Sequence, residues 1–267
     1  MTQGIGMHPV STSERGFLGA MAILLVASTA LTIAWSGAMA RMHEMPMPGG
    51  WTLSMMWMRM PGQSWPGVAA AFLGMWLVMM TAMMLPSLLP MLRRYRRAVV
   101  SAEVARPGAL TAIVGAGYLA VWTLFGAVVF AIGAALTSLE LALPALARAA
   151  PLAAGAIVSI AGVAQLSGWK ASRLACCRGD PPCRGPLRAD ASSAWRHGAA
   201  LGVQCVACCL TITIAMLVVG MMDLRAMAFA TAAISAERLA PRGAHIARLS
   251  GAVMVAGGFL LLRAAIA

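Results

Sequence analysis

The chain has 267 residues, 61% of them hydrophobic and only 10% charged, with a mean hydropathy of +0.82, which excludes an ordinary water-soluble globular domain. Twenty Lys and Arg against eight Asp and Glu give a net charge of +12. The basic residues stand between apolar runs, the pattern of membrane topology rather than of a nucleic-acid surface.

A transmembrane helix needs about 20 mostly apolar residues. Such runs cover Phe17–Ala40, Gly67–Leu92, Leu110–Leu136, Ala150–Gly168 and Ala199–Met222. A shorter one, Ala226–Leu239, ends in SAERLAPR, and Leu249–Ala267 closes the sequence. The expected fold is all-α, a polytopic transmembrane helix bundle of about seven spans, with six as the alternative. Residues 1–267 read as a single membrane domain. The longest non-spanning stretches are a Met/Trp-rich outer connection over 41–66 and a Cys/Arg-rich inner connection over 169–198. The first run ends in Ala38-Met39-Ala40, similar to a signal-peptidase site, but its apolar region is long for a signal peptide, so it is read as a retained span.

With the N-terminus in the cytoplasm, fifteen of the twenty basic residues fall inside and five outside, at Arg41, Arg59, Arg148, Arg225 and Arg263. The positive-inside rule therefore favours seven spans, N-terminus in and C-terminus out. The expected location is a bacterial inner membrane.

The outer connection reads RMHEMPMPGGWTLSMMWMRMPGQSWP. Thioethers and imidazole are ligands that suit Cu(I), so His43, Met45 and Met47 are candidates to capture that ion. The same residues also suit an interfacial segment, where Trp belongs and Met fills apolar surface. In the second span, Met75, Met79 and Met83 recur every fourth residue with Met80 and Met84 beside them, so one face is nearly continuous thioether. Pro86 and Pro90 are expected to interrupt its inner half.

The stretch VQCVACCLTITIAM lies in the fifth span. At 100° per residue, Cys205, Cys209, Met216 and Asp223 fall within about 40° of one another, with Cys208 about 60° aside. Thiolates at i, i+3 and i+4 can share one soft ion. Just before it, Cys176, Cys177 and Cys183 stand among Arg173, Arg178 and Arg184. Nearby cations favour the thiolate, and cytosolic cysteines are kept reduced, so ligation or redox chemistry is expected over a structural disulfide. His197 offers a further nitrogen, or is only an interfacial residue. Glu237 reads either as a group facing the bundle interior or as a local partner of Arg238 or Arg242. Asp223 reads as a ligand or as a helix cap.

The motifs GMWLVMMTAMMLPSLLP, CCRGDP, GVQCVACCL, GMMDLRAM and SAERLAP, in that order, resemble a bacterial family of predicted metal-binding integral membrane proteins, from about Gly50 to Gly258. The resemblance implies that Lys170, Cys176 or Cys177, Arg178, Cys205, Cys208, Cys209 and Glu237 are the recurring elements. Leu210 stands where that family has tryptophan.

The expected function is binding of a soft metal, Cu(I) before any other, for transport, buffering or delivery to a metallochaperone or metalloenzyme partner. Thioethers outside and thiolates inside favour import or buffering over export. No GxxxxGK[ST] loop occurs, so transport would not draw on ATP bound by this chain. A membrane thiol-disulfide redox enzyme using the same cysteines and a non-catalytic assembly subunit are the alternatives.

Overall fold

The computed structural model describes residues 12–39, 45–59, 62–178 and 190–266. These are 87% helical, in eight α-helices: α1 (Thr12–Met39), α2 (Trp65–Ser101), α3 (Pro107–Ala142), α4 (Pro144–Gln165), α5 (Gly168–Arg178), α6 (Ala191–Val219), α7 (Leu224–Leu239) and α8 (Gly243–Ile266). All of them except α5 and α7 are long and apolar enough to cross a membrane.

Helix ends follow local chemistry. Ser64 caps α2, its hydroxyl accepting from Gly67 N at 3.3 Å, and Pro66 sits in the first turn, where its missing N–H costs nothing. Asp190 caps α6. Bonds from the Ser193 amide, the Ser192 hydroxyl and the Ser193 hydroxyl hold its carboxyl down to about 2. Because its pKa is lowered on folding, this contribution is complete above the ordinary carboxylate range and is lost only as pH falls through about 2. Asp223 caps α7, accepting from Arg225 N at 2.7 Å and Ala226 N at 3.3 Å.

One expectation is corrected. Pro86 and Pro90 do not interrupt α2, which continues through both to Ser101. The turns around them are buried against the core, and the Ser87 hydroxyl donates to Met84 O at 3.0 Å within the proline-weakened segment. The Met/Trp-rich connection before α2 holds a short hairpin. Met45–Met47 pairs antiparallel with Trp51–Leu53 as strands β1 and β2, around Pro48-Gly49-Gly50. Both glycines adopt positive φ, +104° and +77°, which a tight reversal needs and other residues resist. The hairpin packs Met47 and Leu53 on Ala147, and Trp51 Nε1 donates to Ala147 O at 2.8 Å.

The bundle is drawn together where side chains vanish. A Cβ on Gly198 would collide with the backbone of Val114, and one on Gly117 would lie 2.5 Å from Trp195 O, so α3 and α6 meet nearly backbone to backbone. Gly155 and Gly162 of α4 do the same against Gly251 and Gly258 of α8. At 16 residues, α7 is about 24 Å long. One end lies near Ser36 of α1, whose hydroxyl bonds Met222 O at 2.7 Å, and the other at Gln165, the last residue of α4.

Gly198→Ala is expected to lower stability by about 1–3 kcal/mol through overpacking at backbone contact. Gly115→Ala, whose Cβ meets nothing within 4 Å, should be neutral or stabilising. Thermal-unfolding midpoints of the two variants in detergent check the contrast.

Candidate metal centre

Helix α5 was read only as connection, yet Lys170, Leu174 and Cys177, spaced four and three apart, are its buried face. That face docks beneath α6 and α7 at three points. Lys170 Nζ pairs with Glu237 Oε2 at 2.7 Å and donates to Cys208 O at 2.7 Å. Cys177 Sγ donates to Gln204 O at 3.0 Å. Arg178 Nη1 reaches the carbonyls of Glu237 at 3.1 Å and Ala240 at 2.6 Å, placing a cation on the end of α7 where unpaired carbonyls concentrate negative potential. Gly243 makes room for that guanidinium, since a Cβ there would strike it and Glu237 O.

Glu237 faces the interior, bonded to Lys170 rather than to its neighbour Arg238. Its Oε1 accepts from Gln165 Nε2 at 2.5 Å and Ser250 Oγ at 2.7 Å, and Thr211 Oγ1 donates to Gln165 Oε1. The carboxylate is thus satisfied on both oxygens in a setting where an unpaired charge would be costly.

Beside this network the thiols of α6 converge, all three buried. Cys205 Sγ is 3.8 Å from Cys209 Sγ and 3.9 Å from Met84 Sδ of α2. Tyr118 OH donates to the same sulfur at 3.1 Å and Arg238 Nη1 at 3.0 Å. Arg238 Nη1 also donates to Ser87 Oγ at 2.9 Å, while Nη2 lies 3.4 Å from Met91 Sδ. Cys208 is buried one residue before Cys209, its carbonyl accepting from Lys170 Nζ at 2.7 Å, and Cys177 Sγ meets the same helix at Gln204 O. Among the described residues no three of His, Cys, Asp or Glu close on one preformed metal site.

The donor set nevertheless fits a soft ion. Two thiolates each about 2.3 Å from one ion stand about 3.8–4.0 Å apart in tetrahedral or trigonal geometry, and Cys205 and Cys209 are already at 3.8 Å. Met84 adds a thioether on the adjoining side. The Arg238 cation balances the negative charge that two thiolates and a monovalent ion would leave.

Other sequence candidates fall elsewhere. Met79, Met83 and Met216 are buried in the same core as the thiols. Met47 is buried and Met45 half-buried in the hairpin cluster. Asp223 is exposed, with one oxygen engaged in capping. Cys176 is disulfide-bonded, contrary to the reduced state expected of it, and so stands apart from the four free thiols. His43 and Cys183 lie outside the described residues. His197 stacks on Tyr95, centroids 5.4 Å apart, in place of joining the thiols. Met84, Tyr118, Gln165 and Arg238 were not singled out as site residues. Of these, only Met84 carried a signal, its place on the second methionine stripe, and Arg238 was weighed only as a partner for Glu237.

The PpoB2 family, described as copper chaperones, matches residues 73–261. The chain belongs to this family. No curated protein and no solved structure matches it. The PpoB2 match takes in both thiol helices, α5 and α6, together with Glu237 and Arg238, and it leaves α1 and the methionine hairpin outside.

Lys170→Met or Glu237→Gln alone is expected to destabilise the protein by about 3–5 kcal/mol, because each strands a buried charge. The double variant should recover much of the loss, and a double-mutant cycle on detergent unfolding measures the coupling.

Proposed function

We propose that the protein is a multi-pass membrane copper chaperone that holds Cu(I) between Cys205 and Cys209, with Met84 as third donor and Cys208 and Cys177 as the path by which the ion enters or leaves. The single observation that carries this reading is the convergence on Cys205 Sγ of a second thiol at 3.8 Å, a thioether at 3.9 Å and a guanidinium at 3.0 Å. Soft donors select the ion, and burial with a matching cation keeps the loaded site close to neutral. Membership in a copper chaperone family supports the choice of copper.

In this reading seven helices cross a bacterial inner membrane, α7 among them, with the N-terminus inside and the C-terminus outside. The thiols then lie toward the cytoplasm. Buried Met216, Met79, Met80 and Met83 supply thioethers between them and the outer face, where Met45, Met47 and His43 would meet the ion first. Buffering and delivery to a copper protein suit a site that is closed over by Tyr118 and Arg238 and opens through the small α5 element. The role of α5 is to seat Cys177 against Gln204 at the start of the α6 cysteine run, so that a further thiol stands where an ion would enter or leave.

Cu(I) titrated anaerobically into the detergent-purified protein, against a chromophoric chelator, tests the assignment. Cys205→Ser and Cys209→Ser should each abolish the tight site, whereas Met45→Leu with Met47→Leu should leave it intact. Retention of wild-type affinity in the Cys205/Cys209 double variant would overturn the reading. Tyr118→Phe and Arg238→Gln, which remove groups bonded to the ligand sulfur, should each weaken affinity about 10–100-fold. Since thiols must lose protons to ligate, apparent affinity should rise between about pH 6 and pH 8, with protons released on binding.

A further inference from the structure

A cavity of about 520 Å³ lies between α1, α2 and α3, apart from the thiols. Its walls are apolar, formed by Phe17 and Leu24 of α1, Leu88 of α2 and Gly115 and Leu119 of α3, with Arg96 lining it as well. From Gly108 to Leu119 the slot follows α3 for about 16 Å, close to half of a hydrocarbon core about 30 Å thick. Gly115 opens onto it, for a Cβ there would meet no atom within 4 Å. An apolar slot of this depth between three membrane-length helices fits an acyl chain.

The charge at its end narrows the occupant. Arg93, Arg94, Arg96 and Arg97 crowd the inner end of α2. Glu14 pairs with Arg93 at 2.6 Å and Arg97 at 2.9 Å. Arg96 is held differently, its Nη2 donating to Ser13 O at 3.1 Å and Ser13 Oγ at 2.6 Å while its guanidinium lies over the Phe17 ring at 5.1 Å. Among the described residues no carboxylate pairs with Arg96, and Arg94 is exposed. Basic residues at the cytoplasmic end of an interhelical pocket recognise anionic headgroups.

We propose that this slot is a binding site for an anionic phospholipid, one acyl chain seated between α1, α2 and α3 and its phosphate on Arg96. Met84 and Tyr118 form part of the cavity wall and also touch Cys205. The tail therefore backs the side chains that enclose the thiols and keeps water from reaching them by that route. The lipid site rests on the cavity and Arg96 alone, and it stands whether or not the thiols carry copper.

Native mass spectrometry of the full chain, supplied with phosphatidylglycerol or phosphatidylethanolamine of identical acyl chains, tests it. The wild type should retain phosphatidylglycerol in preference, and Arg96→Gln should weaken that retention about fivefold. Gly115→Leu should exclude both lipids by filling the slot, while Gly115→Ala, too small to fill it, should behave as wild type. Ala116→Phe, also on the wall, replaces Gly115→Leu if that variant does not fold. Equal retention of the two lipids by the wild type, or undiminished phosphatidylglycerol in the slot-filling variant, would overturn the proposal.

Discussion

Two cations and one carboxylate are held inside a bundle that offers them almost no water. Lys170 and Glu237 are each 1% exposed, and Arg238 is buried beside them. In that setting an unmatched charge would outweigh any local packing gain, so each must find a fixed partner. Glu237 takes Lys170, Gln165 and Ser250, and these partners come from α5, α4 and α8. One carboxylate thereby fixes the relative placement of four helices, including a small amphipathic one that hydrophobic burial alone would hold weakly.

The thiol cluster depends on that anchoring. Because α7 is pinned through Glu237, the next residue, Arg238, is aimed across at Cys205, Ser87 and Met91. Because α5 is pinned through Lys170, Cys177 arrives against the end of the α6 cysteine run, where Gln204 O receives its thiol. The close approach of α3 to α6 at Gly117 and Gly198 then lets Tyr118, the residue after Gly117, reach the same sulfur. Ion pairing sets one end of the site, glycine contact sets how closely the helices approach, and the soft donors occupy the space between.

Much of this was legible in the sequence. Apolar runs located all six long helices and the shorter seventh, because burial in lipid imposes length and composition directly. Helical periodicity put Cys205 and Cys209 on one stripe, and they are in contact. What failed to show was whatever depends on a third element. The resemblance singles out both Lys170 and Glu237, but nothing local says that they pair with one another across 67 residues. Met84 could not be told from Met79 or Met83 until α6 was set against α2. The α5 helix was hidden by its charge, and the hairpin by its methionines, although Pro-Gly-Gly is a turn signal.

The proposed Cu(I) site at Cys205, Cys209 and Met84 consists of sulfur alone. Copper K-edge X-ray absorption on the purified, copper-loaded protein tests it most directly, because it reports both oxidation state and ligand type. The expected spectrum is that of Cu(I) with two short thiolate bonds and one longer thioether contact, the last lost in Met84→Leu. A spectrum of Cu(II), or a shell dominated by nitrogen or oxygen, would contradict it.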